Sequence, residues 1–383
     1  SDCSRSFITQ SLENLKKIYF MIFNKRVPSV DIFRGATILL MILVNTPGTW
    51  SAVYAPFLHA SWHGYTLTDL VFPFFLFIVG VSISLSYKDK KLKPQVFFKL
   101  TKRSLKLIAL GLFLGAFTTN FPFIKDFDSI RFPGVLQRIG LVFFFASVLY
   151  LWGSKRSTAL IIGIILLVYW LWMGYLPLDG VAPTYERGAN NWANFIDLKL
   201  LGPHMWQPDY DPEGILSTLP AIATALLGTL AGDILRSNTY QKASLLFLSG
   251  LVLLGLGHLL DLSFPINKAL WSSSFVLVTA GWANLVLGTL FYLREVKKFI
   301  FGGVFSKVGA NAIAIYVTSS FITKLFYLIP FNGSSIHGAL FETIYLHQGV
   351  DPALSSLLYA ITVCAFYVLM ASFMYQKKIF IKV

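Results

Sequence analysis

The sequence predicts an all-α fold, a polytopic membrane bundle of about ten transmembrane helices, and three observations carry that reading. The 383 residues are 55% hydrophobic and only 13% charged, with mean hydropathy +0.65, which is far from the composition of a soluble domain. Apolar runs of near-spanning length recur along the chain, and a hydrocarbon core about 30 Å thick needs roughly 20 such residues per helix. Lys and Arg gather in alternate loops, the pattern that sets the orientation of a helical membrane protein. Cys3 and Cys364 are the only cysteines, too few for a disulfide framework or a thiolate metal site.

Residues 1–30 place Phe7, Ile8, Leu12, Leu15, Ile18 and Phe20 beside Lys16, Lys17, Lys25 and Arg26, an amphipathic segment suited to the cytoplasmic membrane surface. The membrane domain is expected over 31–383, with spans at 32–47, 69–87, 103–118, 134–152, 158–176, 215–235, 243–260, 269–293, 309–330 and 355–374. With the N-terminus in the cytoplasm, 24 of the 32 Lys and Arg fall in cytoplasmic segments and 5 on the opposite side, while Arg34, Arg138 and Lys324 lie inside spans. The reverse orientation would carry 24 basic residues across the bilayer, so both termini are expected to be cytoplasmic. The net charge of +14 is then a topology signal, and no nucleic-acid recognition motif accompanies it. Polar and acidic residues collect on the other side, in 48–68, 119–133, 177–214 and 331–353, and the non-cytoplasmic loop 177–214 is too long for a simple connector.

An ionisable residue at membrane depth is costly and marks either an internal partner or a wet cavity. Several sit near the non-cytoplasmic helix ends: Asn45 before Pro47, His59 and Trp62 in a short loop, Asp69 opening the second span, Arg138 one turn into the fourth, Asp211 and Glu213 opening the sixth, and Asn267 and Lys268 opening the eighth. His59 reads as a general base or nucleophile, or as an interfacial His bonded to its loop. Asp69 suits both orienting His59 and capping a helix. Asn45 could serve an oxyanion or simply end its helix, and Arg138 could be a counter-ion or a substrate contact. Asp211 and Glu213 also fit capping beside Pro212, and Trp62 fits a sugar face or an interfacial belt. His59 and His63 are four apart, but without an HExxH pattern no metal is expected. GxSxG, Walker and GxGxxG motifs are absent.

The segments Ser29-Val30-Asp31-Ile32-Phe33-Arg34-Gly35, His59-Ala60-Ser61-Trp62, Thr68-Asp69-Leu70-Val71-Phe72-Pro73, Pro133-Gly134-Val135-Leu136-Gln137-Arg138, Tyr210-Asp211-Pro212-Glu213-Gly214 and Lys377-Lys378-Ile379-Phe380 resemble the heparan-alpha-glucosaminide N-acetyltransferase family, the lysosomal transmembrane acetyltransferase and its bacterial relatives. The similarity runs in order from Val27 to Val383 and does not include the large luminal N-terminal region of the animal members; Ser319 stands where those members are expected to carry a His. The resemblance implies a transmembrane acyltransferase fold and transfer of acetyl from cytoplasmic acetyl-CoA, the co-substrate, to the amine of a glucosamine-type sugar on the opposite side. It implies that His59 is the catalytic His, with Asn45 and Asp69 beside it. Acceptor contacts are then expected from Arg138, Glu213, Asp211, Trp62, Asn267 and Lys268. Contacts to the phosphate-bearing head of acetyl-CoA are expected from Arg34, Lys102, Arg103, Lys106 and Asn311, although the basic loop also reads as a topology determinant and lipid contact. Membrane lipid and an amino-sugar acceptor are the expected partners, with a homodimer left open and a bacterial inner membrane as the expected location. The main alternative is a transporter of an amino sugar or its N-acetyl derivative, since a bundle with buried polar groups also suits a substrate pathway.

Overall fold

The computed structural model describes residues 27–87 and 90–381; the amphipathic segment read over 1–30 falls almost wholly outside them. Thirteen α-helices run through the described residues: α1 Pro28–Asn45, α2 Leu67–Ser86, α3 Pro94–Ala116, α4 Val135–Trp152, α5 Lys155–Tyr175, α6 Trp192–Leu201, α7 Ile215–Arg236, α8 Lys242–Asp261, α9 Ser273–Phe291, α10 Gly303–Ala310, α11 Ala312–Leu328, α12 Ile336–Ile344 and α13 Pro352–Gln376. Proline at the first turn starts α1, α3 and α13, where its missing N–H would have no partner in any case. Side-chain caps from Ser154, Asn191, Ser272 and Asp351 start α5, α6, α9 and α13. A two-residue antiparallel pair, Pro330–Phe331 with Ser334–Ser335, joins α11 to α12.

Among the described residues eight helices are long and apolar enough to cross a membrane: α1, α2, α4, α5, α7, α8, α9 and α13. The chain is an integral membrane protein. The run expected at 103–118 lies in α3, which begins nine residues earlier; its first thirteen residues carry Lys99, Lys102, Arg103 and Lys106 at steps of three and four, which puts them along one helical face. The run expected at 309–330 is a broken passage in which α10 meets α11 at 81°. The break falls at Asn311, whose side chain serves another segment: Asn311 Nδ2 donates to Ile379 O (2.9 Å) and Asn311 Oδ1 accepts from Ile381 N–H (2.9 Å). That amide pins the chain after α13 against the bend.

Helices α2 and α7 form the centre, with 83% and 78% of their apolar windows buried, whereas α5, α8 and α13 bury only 28%, 22% and 28% and make up the periphery. Gly80 of α2 faces the Ala225 carbonyl and Gly228 of α7 faces the Phe77 carbonyl, so the central pair meets backbone to backbone, as small residues permit between membrane helices. Gly228→Val is expected to push this pair apart and to lower the melting temperature of the detergent-solubilised protein, since overpacking costs about 1–3 kcal/mol. An unchanged melting curve would mean that the close crossing is dispensable.

Candidate functional site

The site forms where α1 ends and α2, α4, α7 and α9 begin. Asp69 is the third residue of α2 and closes a capping box with Thr66: its Oδ2 accepts from the Thr66 and Ala60 N–H groups, both at 3.0 Å. Its Oδ1 lies 2.6 Å from His59 Nδ1. One buried carboxylate therefore both caps the helix and holds the imidazole, and both readings of Asp69 describe it. Pairing with a carboxylate fixes the proton on Nδ1 and leaves the Nε2 lone pair available. His59 is half exposed, with 50% of its side-chain surface open, so that lone pair is accessible.

Lys268 reaches the same imidazole from the loop before α9, its Nζ 3.0 Å from His59 Nδ1, 3.3 Å from Nε2 and 3.5 Å from Asp69 Oδ1. Burial lowers its pKa, against the opposing pull of Asp69 and Glu213. Neighbouring Asn267 builds this loop: its Oδ1 accepts from Leu270 N–H (2.9 Å) and its own N–H donates to Ser272 Oγ (3.0 Å). The adjacent Gly64 N–H donates to Ile266 O (2.7 Å), tying the loop to the His59 segment.

Across from His59, Arg131 Nε donates to Asp211 Oδ2 (2.7 Å), and Nη2 donates to Asp211 Oδ1 and Glu213 Oε2. Burial alone would lower the Arg131 pKa, but the hydrogen bond and charges of Asp211 and the charge of Glu213 outweigh it and raise it. Asp211 also accepts from the Trp206 and Glu213 N–H groups, both at 2.8 Å, which shapes the turn before α7. The capping reading of Asp211 is thus met together with an ion pair. Arg138 is fully buried behind this wall; it donates to Gly214 O (3.0 Å) and to Ser217 Oγ, and its guanidinium lies over the Trp271 ring at 5.1 Å.

These groups surround a cavity of about 290 Å³ lined by Asn45, His59, Trp62, Asp69, Arg131, Trp206, Tyr210, Glu213 and Lys268 among others. Five segments distant in sequence thus converge, and Asn45, His59, Trp62, Asp69, Glu213 and Lys268 all line this one cavity, in keeping with their positions at one end of the bundle. Asp211, Arg138 and Asn267 stand behind the lining and hold it. The Asn45 amide makes no hydrogen bond among the described residues and faces both this cavity and a second one of about 440 Å³, which shares Met41, Asn45 and Val135 with it. The Trp62 indole donates to Tyr185 O (2.9 Å) and meets Tyr210 edge-on at 5.3 Å, so the 177–214 loop forms part of the wall.

A third cavity of about 410 Å³ lies at the opposite end of the bundle, lined by Arg34, Ser82, Tyr87, Arg103, Gly309, Ala310, Ala312 and Ile313 among others. Arg34 donates to Ser82 Oγ (2.7 Å) and pairs with Asp31 (3.2 Å), while Arg103 stacks on Phe143 at 4.6 Å. Lys102 and Lys106 are exposed on α3 and do not line this cavity, and Asn311 is buried with its amide engaged by the C-terminal segment.

The family model for the catalytic region of heparan-alpha-glucosaminide N-acetyltransferase matches residues 26–260. The chain belongs to that family. It is 32% identical over 418 residues to "Heparan-alpha-glucosaminide N-acetyltransferase" of Homo sapiens and 30% identical over 420 residues to the protein of that name from Mus musculus, each comparison covering 94% of this chain. The chain spans 60% of the length of these curated relatives. Asn45, His59, Trp62, Asp69, Arg138, Asp211 and Glu213 lie inside the stretch matched by the heparan-alpha-glucosaminide N-acetyltransferase model, whereas Asn267 and Lys268 lie beyond its end.

Sequence reasoning misses Arg131, Trp206, Tyr210 and Asp197 as site-building residues. Arg131 reads as ordinary loop charge, because its acidic partners are 80 residues away. Asp197, on the short helix α6, accepts from Ile215 N–H (2.8 Å) and so caps α7 from outside; burial pushes its carboxyl up to about 7 against that hydrogen bond. The length of the 177–214 loop is the available signal for Asp197, Trp206 and Tyr210, and Tyr210 also stands in the Tyr210–Gly214 segment that carries the family resemblance.

Proposed function

We propose that the protein is a transmembrane N-acetyltransferase that moves acetyl from acetyl-CoA, bound at the Arg34–Arg103 end, to the amine of a glucosamine-type sugar entering at the His59 end. The observation that carries this reading is the His59–Asp69 pair, with its free Nε2 facing a cavity that meets a second cavity at Asn45. Helix α11 turns Ala312 and Ile313 toward the Arg103 cavity and Tyr316, Ser319, Ser320 and Thr323 toward the Asn45 cavity. The stretch from 312 to 323 rises about 16 Å, within reach of a slim pantetheine arm whose charged head stays at the cationic mouth. By loop charge the Arg103 end and both termini are cytoplasmic, and residues 31–383 act as one catalytic unit.

In this reading His59 Nε2 takes a proton from the attacking amine, Asp69 stabilises the imidazolium through Nδ1–H, and the unengaged Asn45 amide donates to the developing oxyanion. Trp62 and Tyr210 offer faces to the sugar, and Glu213, held by Arg131, accepts from its hydroxyls or ammonium. An acetyl group parked on Nε2 would stand 3.3 Å from Lys268 Nζ, which in its deprotonated form would take it as a stable amide. Direct transfer in a ternary complex avoids that loss.

Detergent-purified protein supplied with labelled acetyl-CoA and a panel of amino sugars is expected to acetylate the amine of at least one. Substrate uptake by proteoliposomes without CoA, and no transfer, would support a transporter instead. Arg103→Ala is expected to raise KM for acetyl-CoA several-fold at low salt, with a smaller ratio at high salt because screening already weakens the wild-type attraction, and to leave the acceptor KM unchanged. Equal acetyl-CoA dependence in the two proteins would move the cationic mouth elsewhere.

A further inference from the structure

Lys268 sits too close to His59 to serve only as a wall of the acceptor cavity. Its Nζ lies 3.0 and 3.3 Å from the two ring nitrogens, off the axis of either lone pair, so Nε2 stays open to the cavity; since Nδ1–H is held by Asp69 (2.6 Å), Nε2 is the ring nitrogen with which a rotated Lys268 can exchange a proton. The charged groups around Lys268 are His59, Asp69 and Glu213, with Arg138 behind them. An imidazolium and an ammonium at this distance repel strongly in a partly buried site, and a single Asp69 carboxylate adjoins both. The pair therefore holds one transferable proton in common.

We propose that Lys268 is the proton carrier of the transfer, giving its proton to the departing thiolate and regaining one from His59. The proposal rests on the direct-transfer reading above. The sugar ammonium first releases a proton to the open vestibule. Its nitrogen then forms the C–N bond to the thioester carbonyl, and the remaining surplus proton on nitrogen passes to His59 Nε2. As that proton arrives, the C–S bond breaks with its electron pair going to sulfur, and Lys268 Nζ–H protonates the sulfur in the same step, so the pair never carries two transferable protons. The His59 proton then crosses to Lys268, which restores neutral imidazole and ammonium. The sum is thioester plus ammonium giving amide, thiol and one proton in solution. A lysine whose pKa is lowered by burial is better matched to a thiol than an exposed one.

The test compares two acetyl donors: acetyl-CoA, whose thiolate needs a proton, and the thioacetate of 4-nitrothiophenol, whose thiolate leaves without one. Lys268→Met is expected to lose about 10²–10³-fold with acetyl-CoA and to remain within a few-fold of wild type with the nitrothiophenyl ester. Lys268→Arg keeps the charge but not a transferable proton and should behave as the Met variant does. The alkaline limb of the wild-type pH profile should appear with acetyl-CoA and vanish with the ester. Intact-mass measurement after exposure to acetyl-CoA without sugar should show unmodified protein. A Lys268→Arg variant with wild-type rate and pH profile on acetyl-CoA overturns the proposal, as does equal loss with both donors or an acetyl group accumulating on the protein. A wild-type protein that transfers acetyl from neither donor refutes the acetyltransferase reading itself.

Discussion

Replacing His59 by alanine is expected to slow acetyl transfer about 10²–10⁴-fold, the usual loss when a general base is removed, with little change in folding or acetyl-CoA binding. The separation follows from the two oxygens of Asp69. Oδ2 takes the Thr66 and Ala60 N–H groups, and only Oδ1 serves His59, so the capping box that starts α2 survives the substitution. The Arg34–Arg103 cavity lies at the other end of the bundle and shares no lining residue with the His59 cavity. The measurements are kcat with the best acceptor, a thermal melt and equilibrium binding of acetyl-CoA. Near-normal turnover in a well-folded variant would end the assignment of His59 as base.

Arg131→Met should be the most damaging single change for stability near the site. Its guanidinium joins Asp211, whose side chain has no exposed surface, and Glu213, which is 8% exposed. Removing the cation from such a cluster typically costs about 3–5 kcal/mol because the carboxylates remain buried without their partner. The turn that Asp211 holds through the Trp206 and Glu213 N–H groups leads directly into α7, so the acceptor wall should loosen along with it. A lower melting temperature in detergent and a raised acceptor KM are expected, with much of the melting temperature regained when Asp211→Asn and Glu213→Gln are added. A single variant that melts as wild type does would show that the carboxylates need no cation there.

How much was legible in the chain can be judged residue by residue. The spans around α2 and α7 are nearly uninterrupted apolar runs, and helices of that kind are local objects: their backbone hydrogen bonds are satisfied within the segment, so length and hydropathy suffice to find them. His59 and Asp69 are ten residues apart, and the loop and capping pattern between them is short enough to suggest their meeting. Asn311 shows the limit. It lies at an apolar run's edge, yet its amide is taken by Ile379 and Ile381, some 70 residues on, and the 81° bend between α10 and α11 coincides with a partnership that no local pattern encodes. Lys102, Arg103 and Lys106 look alike in sequence, but only Arg103 lines the cavity, because helical phase is read locally whereas the neighbour that closes the wall is not.

By itself, then, the sequence determined that this chain is a helical membrane protein, where its main spans lie, and that a His, an Asp, an Asn and several ionisable residues share one end of the bundle. These follow from composition, period and charge asymmetry, which act over one helix length or less. Only the tertiary structure decided that Asp69 serves cap and imidazole at once, that Lys268 stands against both ring nitrogens, that Arg131 rather than Arg138 faces the cavity while Arg138 is buried behind Gly214 and Ser217, and that α1 contributes to the lining of all three cavities. Each of these depends on how separate helices pack. Packing is set by shape and by burial against distant partners, quantities that no window of the chain contains.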